Sequence, residues 1–388
     1  MATTRKRRDV DSRLPDLTTA AFEKWAGQPV ISRKKPSYPI IPALREYLSS
    51  SNREIDLPLT YNRLLRFHEA APLYDEEYRD TFWVTVVYEP AQRKRLNEHL
   101  LQVYGLLKSV GADVDQDHLF VDRIDFCEFG NSQPFRIRIV NEQNGNQDFF
   151  YIKKADASRV YGLELEYLLS PNRVHFLTCG DTLIEEHVVG IPGDVFIRDW
   201  LHSGRLKKIR IAKEFVKFNE RCFVRLLGDM RSYNFVVEMT PDIEEIQVRF
   251  RAMDFDQECY IGRKNFYLTQ YFVENRDLTL FCIRELTHES YLQYQLEERA
   301  QIYRRMRIAR IRLNRFLDVM EQDTISTPES VVQLRRELAE HYERPTFERC
   351  ASMGAIVRES LEALRETVEP LDLGGKEKKP TRPDYTPI

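Results

Sequence analysis

The chain has 388 residues, of which 42% are hydrophobic and 31% charged, a composition typical of a folded protein and not of a disordered chain. Its net charge of −3 argues against nucleic acid as a partner, except through local basic patches. No apolar run approaches the roughly 20 residues that span a bilayer, and six scattered cysteines without a Cys-x-x-Cys pair suit a reducing, cytoplasmic compartment.

The first part of the chain divides into a basic arm and a mainly helical segment. Residues 1–37 carry several short basic clusters and little apolar periodicity, so we expect a flexible arm. Residues 38–117 are predicted to form a mainly helical N-terminal extension with one strand, because residues 81–88 are β-branched and aromatic. A helix is predicted after Pro90, where leucines recur at helical spacing.

A closely spaced run of strands follows this extension. Three strands are predicted over residues 119–127, 135–140 and 148–154, and Asn144-Gly145 indicates a hairpin turn between the last two. Ser158 can cap a helix that reaches Leu169. Two short strands come next, Val174–Thr178 and Thr182–His187. The predicted order is therefore a three-stranded meander, one helix and two further strands.

The residues with the clearest chemistry lie between positions 227 and 256. Asp229 and Asn234 stand five residues apart in a short polar loop before an apolar strand, and Asp254 follows the next strand. Magnesium-assisted phosphoryl transfer uses such groups, because one carboxylate orients the attacking hydroxyl while a carboxamide and a second carboxylate offer hard oxygens to Mg²⁺. The alternative interpretation is a β-hairpin with polar turn residues.

These patterns together resemble the protein-kinase-like superfamily, and within it the aminoglycoside phosphotransferase-like small-molecule kinases. The stretch Leu183–Asp194 resembles their hinge, in which an acidic strand end precedes an Ile-Pro-Gly turn. Leu227-Gly228-Asp229 with Asn234 resembles their His-Gly-Asp-x-x-x-x-Asn catalytic loop, and Met253-Asp254-Phe255-Asp256 resembles their metal motif. The resemblance covers roughly residues 118–275.

The resemblance implies an α+β, bilobal protein-kinase-like fold behind the helical N-terminal extension. Residues 118–190 would form a small antiparallel β lobe with one helix, and residues 191–370 a larger helical lobe. Residues 371–388, rich in lysine and proline, are expected to be a disordered tail.

The same resemblance implies roles for the polar residues of the catalytic loop and the metal motif. Asp229 would be the catalytic carboxylate, and Arg231 would stabilise the transferring phosphoryl group or be merely a surface arginine. Asn234 and Asp254 would bind Mg²⁺, while Asp256 would bind a second metal or pair with an arginine. The implied reaction transfers phosphate from ATP to a hydroxyl group of a small molecule.

The lysine that would position the ATP phosphates is ambiguous. Lys153 and Lys154 are adjacent on one strand and therefore point to opposite faces of the sheet. The sequence favours Lys153 slightly. Its ion-pair partner would be Glu164, with Glu166 as the second choice.

Two hinge residues, Glu186 and Val188, complete the predicted ATP-binding set. The chain departs from the family pattern at two places. Leu227 replaces the histidine of the catalytic loop, and Gly130 is the one glycine in the loop that would cover the nucleotide. These departures keep open an inactive, pseudokinase-type binding module.

A second alternative is a polyanion-binding or nucleic-acid-binding protein. Residues 285–322 are predicted to form one long helix with seven arginines at positions Arg299, Arg304, Arg305, Arg307, Arg310, Arg312 and Arg315. Together with the basic arm these side chains could hold a phosphorylated or polyanionic ligand. The alternative, which the sequence favours, is a solvated face paired with Glu297, Glu298 and Asp318.

Overall fold

The computed structural model describes residues 35–75, 78, 80–108, 118–128, 132–243 and 245–372. These residues form an α+β structure with eleven α-helices. The helices are α1 (Pro42–Ser50), α2 (Tyr61–Leu64), α3 (Pro90–Lys108), α4 (Ala157–Leu169), α5 (Gly193–Asp199), α6 (Lys208–Arg225), α7 (Arg276–Glu285), α8 (His288–Ile308), α9 (Arg310–Gln322), α10 (Pro328–His341) and α11 (Met353–Asp372).

The same residues contain ten strands in two sheets, and every strand pair is antiparallel. A seven-stranded sheet has the order β1-β2-β3-β4-β5-β7-β6, and a three-stranded sheet has the order β10-β9-β8. The strands are β1 (Glu69–Tyr74), β2 (Asp80–Val87), β3 (Leu119–Phe126), β4 (Phe135–Asn141), β5 (Gln147–Lys154), β6 (Phe176–Cys179), β7 (Thr182–Glu186), β8 (Ile191–Pro192), β9 (Phe235–Pro241) and β10 (Ile246–Ala252).

One face of the large sheet is a continuous apolar surface. Phe126, Phe135, Ile152 and Ile184 lie opposite one another on four successive strands, so their side chains share this face. They are buried against apolar residues of α3, namely Leu96, Leu100, Val103 and Leu107. The polar residues that alternate with them along the same strands therefore point to the opposite face of the sheet.

The N-terminal extension contains two strands, where the sequence predicted one. β2 pairs with β3 through Thr85 and Asp125, and β1 pairs with β2 at the edge of the sheet. The pattern of β1 gave no signal because its residues are mostly exposed and include Pro72, which suits only an edge strand. The extension thus widens the sheet by two strands and covers its apolar face with α3.

Helix α4 connects β5 to β6 and is enclosed on all sides. Asp156 caps its N-terminus by accepting a hydrogen bond from the Arg159 N–H at 3.3 Å. Twelve of its 13 residues are buried, and its apolar side chains belong to the larger hydrophobic core, which extends into the helical part of the chain. The helix therefore lies between the sheet and the later helices.

The small sheet packs on α6 through phenylalanine rings. The ring centroids of Phe215 and Phe250 lie 5.4 Å apart, and those of Phe218 and Phe235 lie 5.2 Å apart. These contacts stabilise both ends of the segment between α6 and β9. Gly193 packs so closely at the start of α5 that a Cβ there would lie 2.2 Å from Phe235 Cε2.

The predicted long helix over residues 285–322 is two helices in the structure. The chain bends at Ala309, so α8 packs on α6 and α11 while α9 packs on α1 and α11. A single straight helix would not reach both sets of neighbours. The bend leaves Ile308 and Ile311 exposed beside the arginines of the two helices.

Both termini of the chain extend beyond the described residues. The basic arm was expected to be flexible, and residues 1–34 of it lie outside the described part, but Lys35 is anchored with its side chain 3% exposed. The first two residues of the predicted tail, 371 and 372, instead belong to α11, which ends at Asp372. The rest of the tail, from residue 373, lies outside the described part. In the part of the chain that the structure describes, no helix combines the length and apolar character needed to cross a bilayer.

Candidate functional site

Asp229 lies in the loop between α6 and β9, and both its backbone groups are held. Its φ of +58° places it in the left-handed region, which an aspartate tolerates better than most residues. Its N–H donates to the Phe266 carbonyl at 3.3 Å, and the Asn234 side-chain amide donates to the Asp229 carbonyl at 2.7 Å. The predicted metal ligand Asn234 therefore fixes the backbone of the predicted catalytic residue.

Arg231 contacts the Asp229 carboxylate directly. Its Nε donates to Asp229 Oδ1 at 2.8 Å, and its Nη1 donates to Glu274 at 2.6 Å. Arg231 is buried at 7% exposure, so it is not the surface arginine that the sequence left open. It orients the Asp229 side chain.

The Asp229 carboxyl has an unusual acidity for an aspartate. Burial raises its pKa to about 6, while Arg231 opposes the shift and the negative charge of Asp254 adds to it. A carboxylate with this pKa is mostly ionised at neutral pH yet accepts a proton more readily than a solvated aspartate. Such a group suits general-base chemistry.

Asp254 follows β10, and the pairing of β10 with β9 places it next to the loop that contains Asp229 and Asn234. The Met253 N–H donates to the Asn234 carbonyl at 3.1 Å, which places the residues of the two predicted metal ligands side by side. Asp254 Oδ1 accepts a hydrogen bond from Arg159 at 2.8 Å, and Arg159 also donates to Asp256 Oδ1 at 2.8 Å. Asp256 thus pairs with an arginine, one of the two roles that the sequence allowed.

Lys153 contacts the Glu185 carboxylate, which also pairs with Arg159, whereas Lys154 is exposed at the end of β5. Lys153 Nζ lies 2.8 Å from Glu185 Oε2, and Arg159 donates to both oxygens of Glu185. The cluster therefore joins two cations, Lys153 and Arg159, to three carboxylates, those of Glu185, Asp254 and Asp256. We call these five residues the ionic cluster.

Burial and mutual charge set the acidity of the ionic cluster. Burial opposes ionisation of Glu185, but Arg159 and Lys153 lower its pKa to about 2. Burial and the adjacent Arg159 lower the pKa of Lys153. Burial and the neighbouring Asp256 carboxylate raise the pKa of Asp254.

The predicted pair of Lys153 with Glu164 does not form. Glu164 points away from the cluster, where it accepts a hydrogen bond from the Tyr47 hydroxyl at 2.5 Å and pairs with Arg312 at 2.6 Å. The second choice, Glu166, pairs instead with Arg225 of α6. The partner of Lys153 comes from strand β7 and not from helix α4.

The two predicted hinge residues lie at the end of β7 and two positions beyond it. The Glu186 carboxylate accepts a hydrogen bond from the His175 N–H at 2.8 Å and so stabilises the edge of the large sheet. Val188 is buried at 6% exposure, and within the described part of the chain its N–H and carbonyl form no backbone hydrogen bond. Both polar backbone groups of Val188 therefore lack a backbone partner among the described residues.

Asn234 and Asp254 each keep one side-chain oxygen of the type that Mg²⁺ prefers. Among the described residues, Asn234 Oδ1 and Asp254 Oδ2 accept no hydrogen bond, and the Asp254 side chain is 34% exposed. No three His, Cys, Asp or Glu side chains in the described ranges form a metal site. Phosphate oxygens and water would therefore complete the coordination.

Three members of the site were not assigned from the sequence. Arg159 and Glu185 lie at the centre of the ionic cluster, and Lys35 donates to Asp156 at 2.7 Å and to the Asp256 carbonyl at 2.8 Å. A signal existed for Arg159, because a charged residue among the apolar residues of this helix needs an ion-pair partner when it is buried.

No protein-family model matches this chain, and no curated protein sequence is significantly similar to it. The functional inference therefore depends on the residues themselves.

Proposed function

We propose that this protein is a Mg²⁺- and ATP-dependent phosphotransferase that acts on a hydroxyl group of a small molecule. We propose further that its fold is bilobal and protein-kinase-like. The strand order β3-β4-β5-β7-β6, with α4 inserted between β5 and β6, supports this assignment because it matches the small lobe expected from the sequence. Helices α5–α11 would form the larger lobe.

The convergence of Asp229, Asn234 and Asp254 on one end of the β9–β10 hairpin carries the proposal. Asp229 accepts the proton of the acceptor hydroxyl, a role favoured by its pKa of about 6. Arg231 holds its carboxylate in place. Lys153, in the adjacent ionic cluster, provides a positive charge for the ATP phosphates.

Asn234 and Asp254 would hold the metal through their unused oxygens. Mg²⁺, when bound there, neutralises charge on the phosphate oxygens. Val188 would receive the adenine through its backbone N–H and carbonyl.

Thermal unfolding with and without Mg-ATP tests this proposal. A ligand at about 100 times its dissociation constant stabilises a protein by roughly 2.7 kcal/mol, which raises the melting temperature by several degrees. We expect such a shift in the wild type, its loss in Asp254→Ala, and its retention in Asp242→Ala. Asp242 is the matched control because it lies at the exposed, opposite end of the same hairpin.

A screen of hydroxyl acceptors follows, with Asp229→Ala as the inactive control. Absence of a Mg-dependent shift at saturating ATP would refute the kinase mechanism.

One observation favours a second candidate, a kinase-like module that binds ATP without transferring phosphate. Arg159 occupies one oxygen of Asp254 and places positive charge beside the proposed Mg²⁺ position. A module of this kind should bind ATP equally well in EDTA, whereas the phosphotransferase should require Mg²⁺.

A further inference from the structure

A basic depression lies at the bend between α8 and α9. The residues that line it are distant in sequence from those of the proposed catalytic site. The volume of the depression is about 680 Å³, and the C-terminal end of α1 closes one side. The polar residues that line it are Ser50, Ser51, Arg307, Arg310, Arg312 and Arg315. None of the described residues that line it carries a carboxylate.

The positive charge of this depression is poorly neutralised. Among the described residues, Arg310 has no ion-pair partner, and Arg315 donates only to the Ser50 hydroxyl, at 3.2 Å. Arg312 pairs with Glu164, which is fully buried behind it. A chain with a net charge of −3 therefore places in one depression two arginines, Arg310 and Arg315, that form no ion pair with the described residues.

A second layer of arginines adds to the charge behind Arg312. Three guanidinium groups surround the Tyr167 ring, with those of Arg53, Arg173 and Arg312 at 4.3, 5.0 and 5.1 Å from its centroid. The Arg53 side chain is 9% exposed, and its Nε lies 3.9 Å from Oε2 of Glu164, the same carboxylate that pairs with Arg312. One carboxylate therefore faces two guanidinium groups, and this layer keeps an excess of positive charge that favours an anion nearby.

The size and chemistry of the depression indicate the class of ligand. Ligand pockets for small molecules have volumes of roughly 300–1,000 Å³, and arginine recognises phosphate through paired hydrogen bonds. Ile308 and Ile311 are 87% and 74% exposed beside the arginines and offer an apolar contact. We propose that this depression binds a phosphorylated small molecule, whose phosphate is held by Arg310, Arg312 and Arg315.

The neighbouring charges favour a small ligand over a nucleic acid. Farther along α9, Asp318 and Glu321 face the surface and pair with Arg358. A long phosphate backbone that ran from the depression along α9 would meet these carboxylates. The site contains none of the proposed catalytic residues, so the inference stands whether or not the protein is a phosphotransferase.

Isothermal titration of the full chain with inorganic pyrophosphate tests the inference. EDTA is present, so the proposed Mg-dependent site does not contribute. The test variant is Arg310→Glu with Arg315→Glu, since both side chains are exposed and neither supports the core. The control is Arg284→Glu with Arg349→Glu, which makes the same change of net charge at exposed positions elsewhere.

We expect pyrophosphate binding to weaken at least tenfold in the test variant and to change less than twofold in the control, with unchanged melting temperatures. Absence of binding to the wild type at millimolar pyrophosphate overturns the inference, as does equal binding by both variants. The inference is also overturned if a single-stranded oligonucleotide binds the wild type more tightly than pyrophosphate does and only the test variant loses this binding. That result would identify nucleic acid as the ligand.

Discussion

Replacing Arg159 by methionine should destabilise the protein strongly. Arg159 is buried at 1% exposure and contacts the carboxylates of Glu185, Asp254 and Asp256. Methionine preserves much of the side-chain volume and removes the charge. Lys153 then remains as the one cation of the ionic cluster against three carboxylates, so buried negative charge is left uncompensated.

The size of the effect follows from the acidity of Glu185. Its pKa is lowered from 4.5 to about 2, which corresponds to roughly 3 kcal/mol of favourable interaction between the carboxylate and its cations. Breaking a buried ion pair from one side typically costs about 3–5 kcal/mol. At roughly 2 °C per kcal/mol for a long chain, we expect the melting temperature to fall by about 6–10 °C.

Thermal unfolding between pH 7 and pH 3 measures this effect and its sign. Because the folded-state pKa of Glu185 is depressed, its contribution to stability is present above pH 4.5 and is lost as the pH falls toward 2. The difference between wild type and Arg159→Met should therefore narrow as the pH is lowered. Adding Glu185→Gln to the variant should restore part of the loss.

Arg198→Met is the matched control for this experiment. The side chains of Arg198 and Asp199 are 63% and 45% exposed, so solvent screens their ion pair and its loss should barely change the melting temperature. A melting temperature of Arg159→Met within 2 °C of the wild type at pH 7 would refute the reasoning.

Three further predictions concern single residues. Transfer activity should rise with pH through a midpoint near 6, because Asp229 must lose its proton to act as the base; a profile of kcat/KM that is flat from pH 5 to 7 would contradict this. Lys153→Met should weaken Mg-ATP binding at least tenfold in a titration, and the exposed Lys154→Met should not; equal effects would exclude Lys153 as the phosphate contact. Gly193→Ala should lower the free energy of unfolding by about 1–3 kcal/mol in urea denaturation, because its Cβ would overlap Phe235; wild-type stability would show that the site relaxes freely.

The sequence predicted the strands and the polar loop better than it predicted the direction in which α4 faces. The alternation of β4 and β5 shows which residues face the core, and the paired phenylalanines and isoleucines of the large sheet lie accordingly. Helix α4 offers no such contrast, because 12 of its 13 residues are buried, including the charged Arg159, Glu164 and Glu166. The sequence therefore could not show that Glu164 faces α1 and α9 while Arg159 faces the sheet.

The partner of Lys153 illustrates the same limit. Glu185 lies 32 residues away in the chain and meets Lys153 only because β5 and β7 become neighbours in the sheet. Pairing across non-consecutive strands depends on tertiary structure, which local spacing does not encode. By contrast, Asp229 and Asn234 are close in sequence, and their contact follows from the local turn.

The cover of the large sheet has a consequence for synthesis of the chain. Helix α3 is translated before the strands that bury its apolar residues, and the last of those strands ends at Glu186. Roughly 80 residues must therefore be added after α3 before its leucines are enclosed, which at about 5–20 residues per second takes several seconds. During that interval the nascent chain exposes the apolar face of α3 and the unpaired edge of the β1–β2 hairpin, features that molecular chaperones bind.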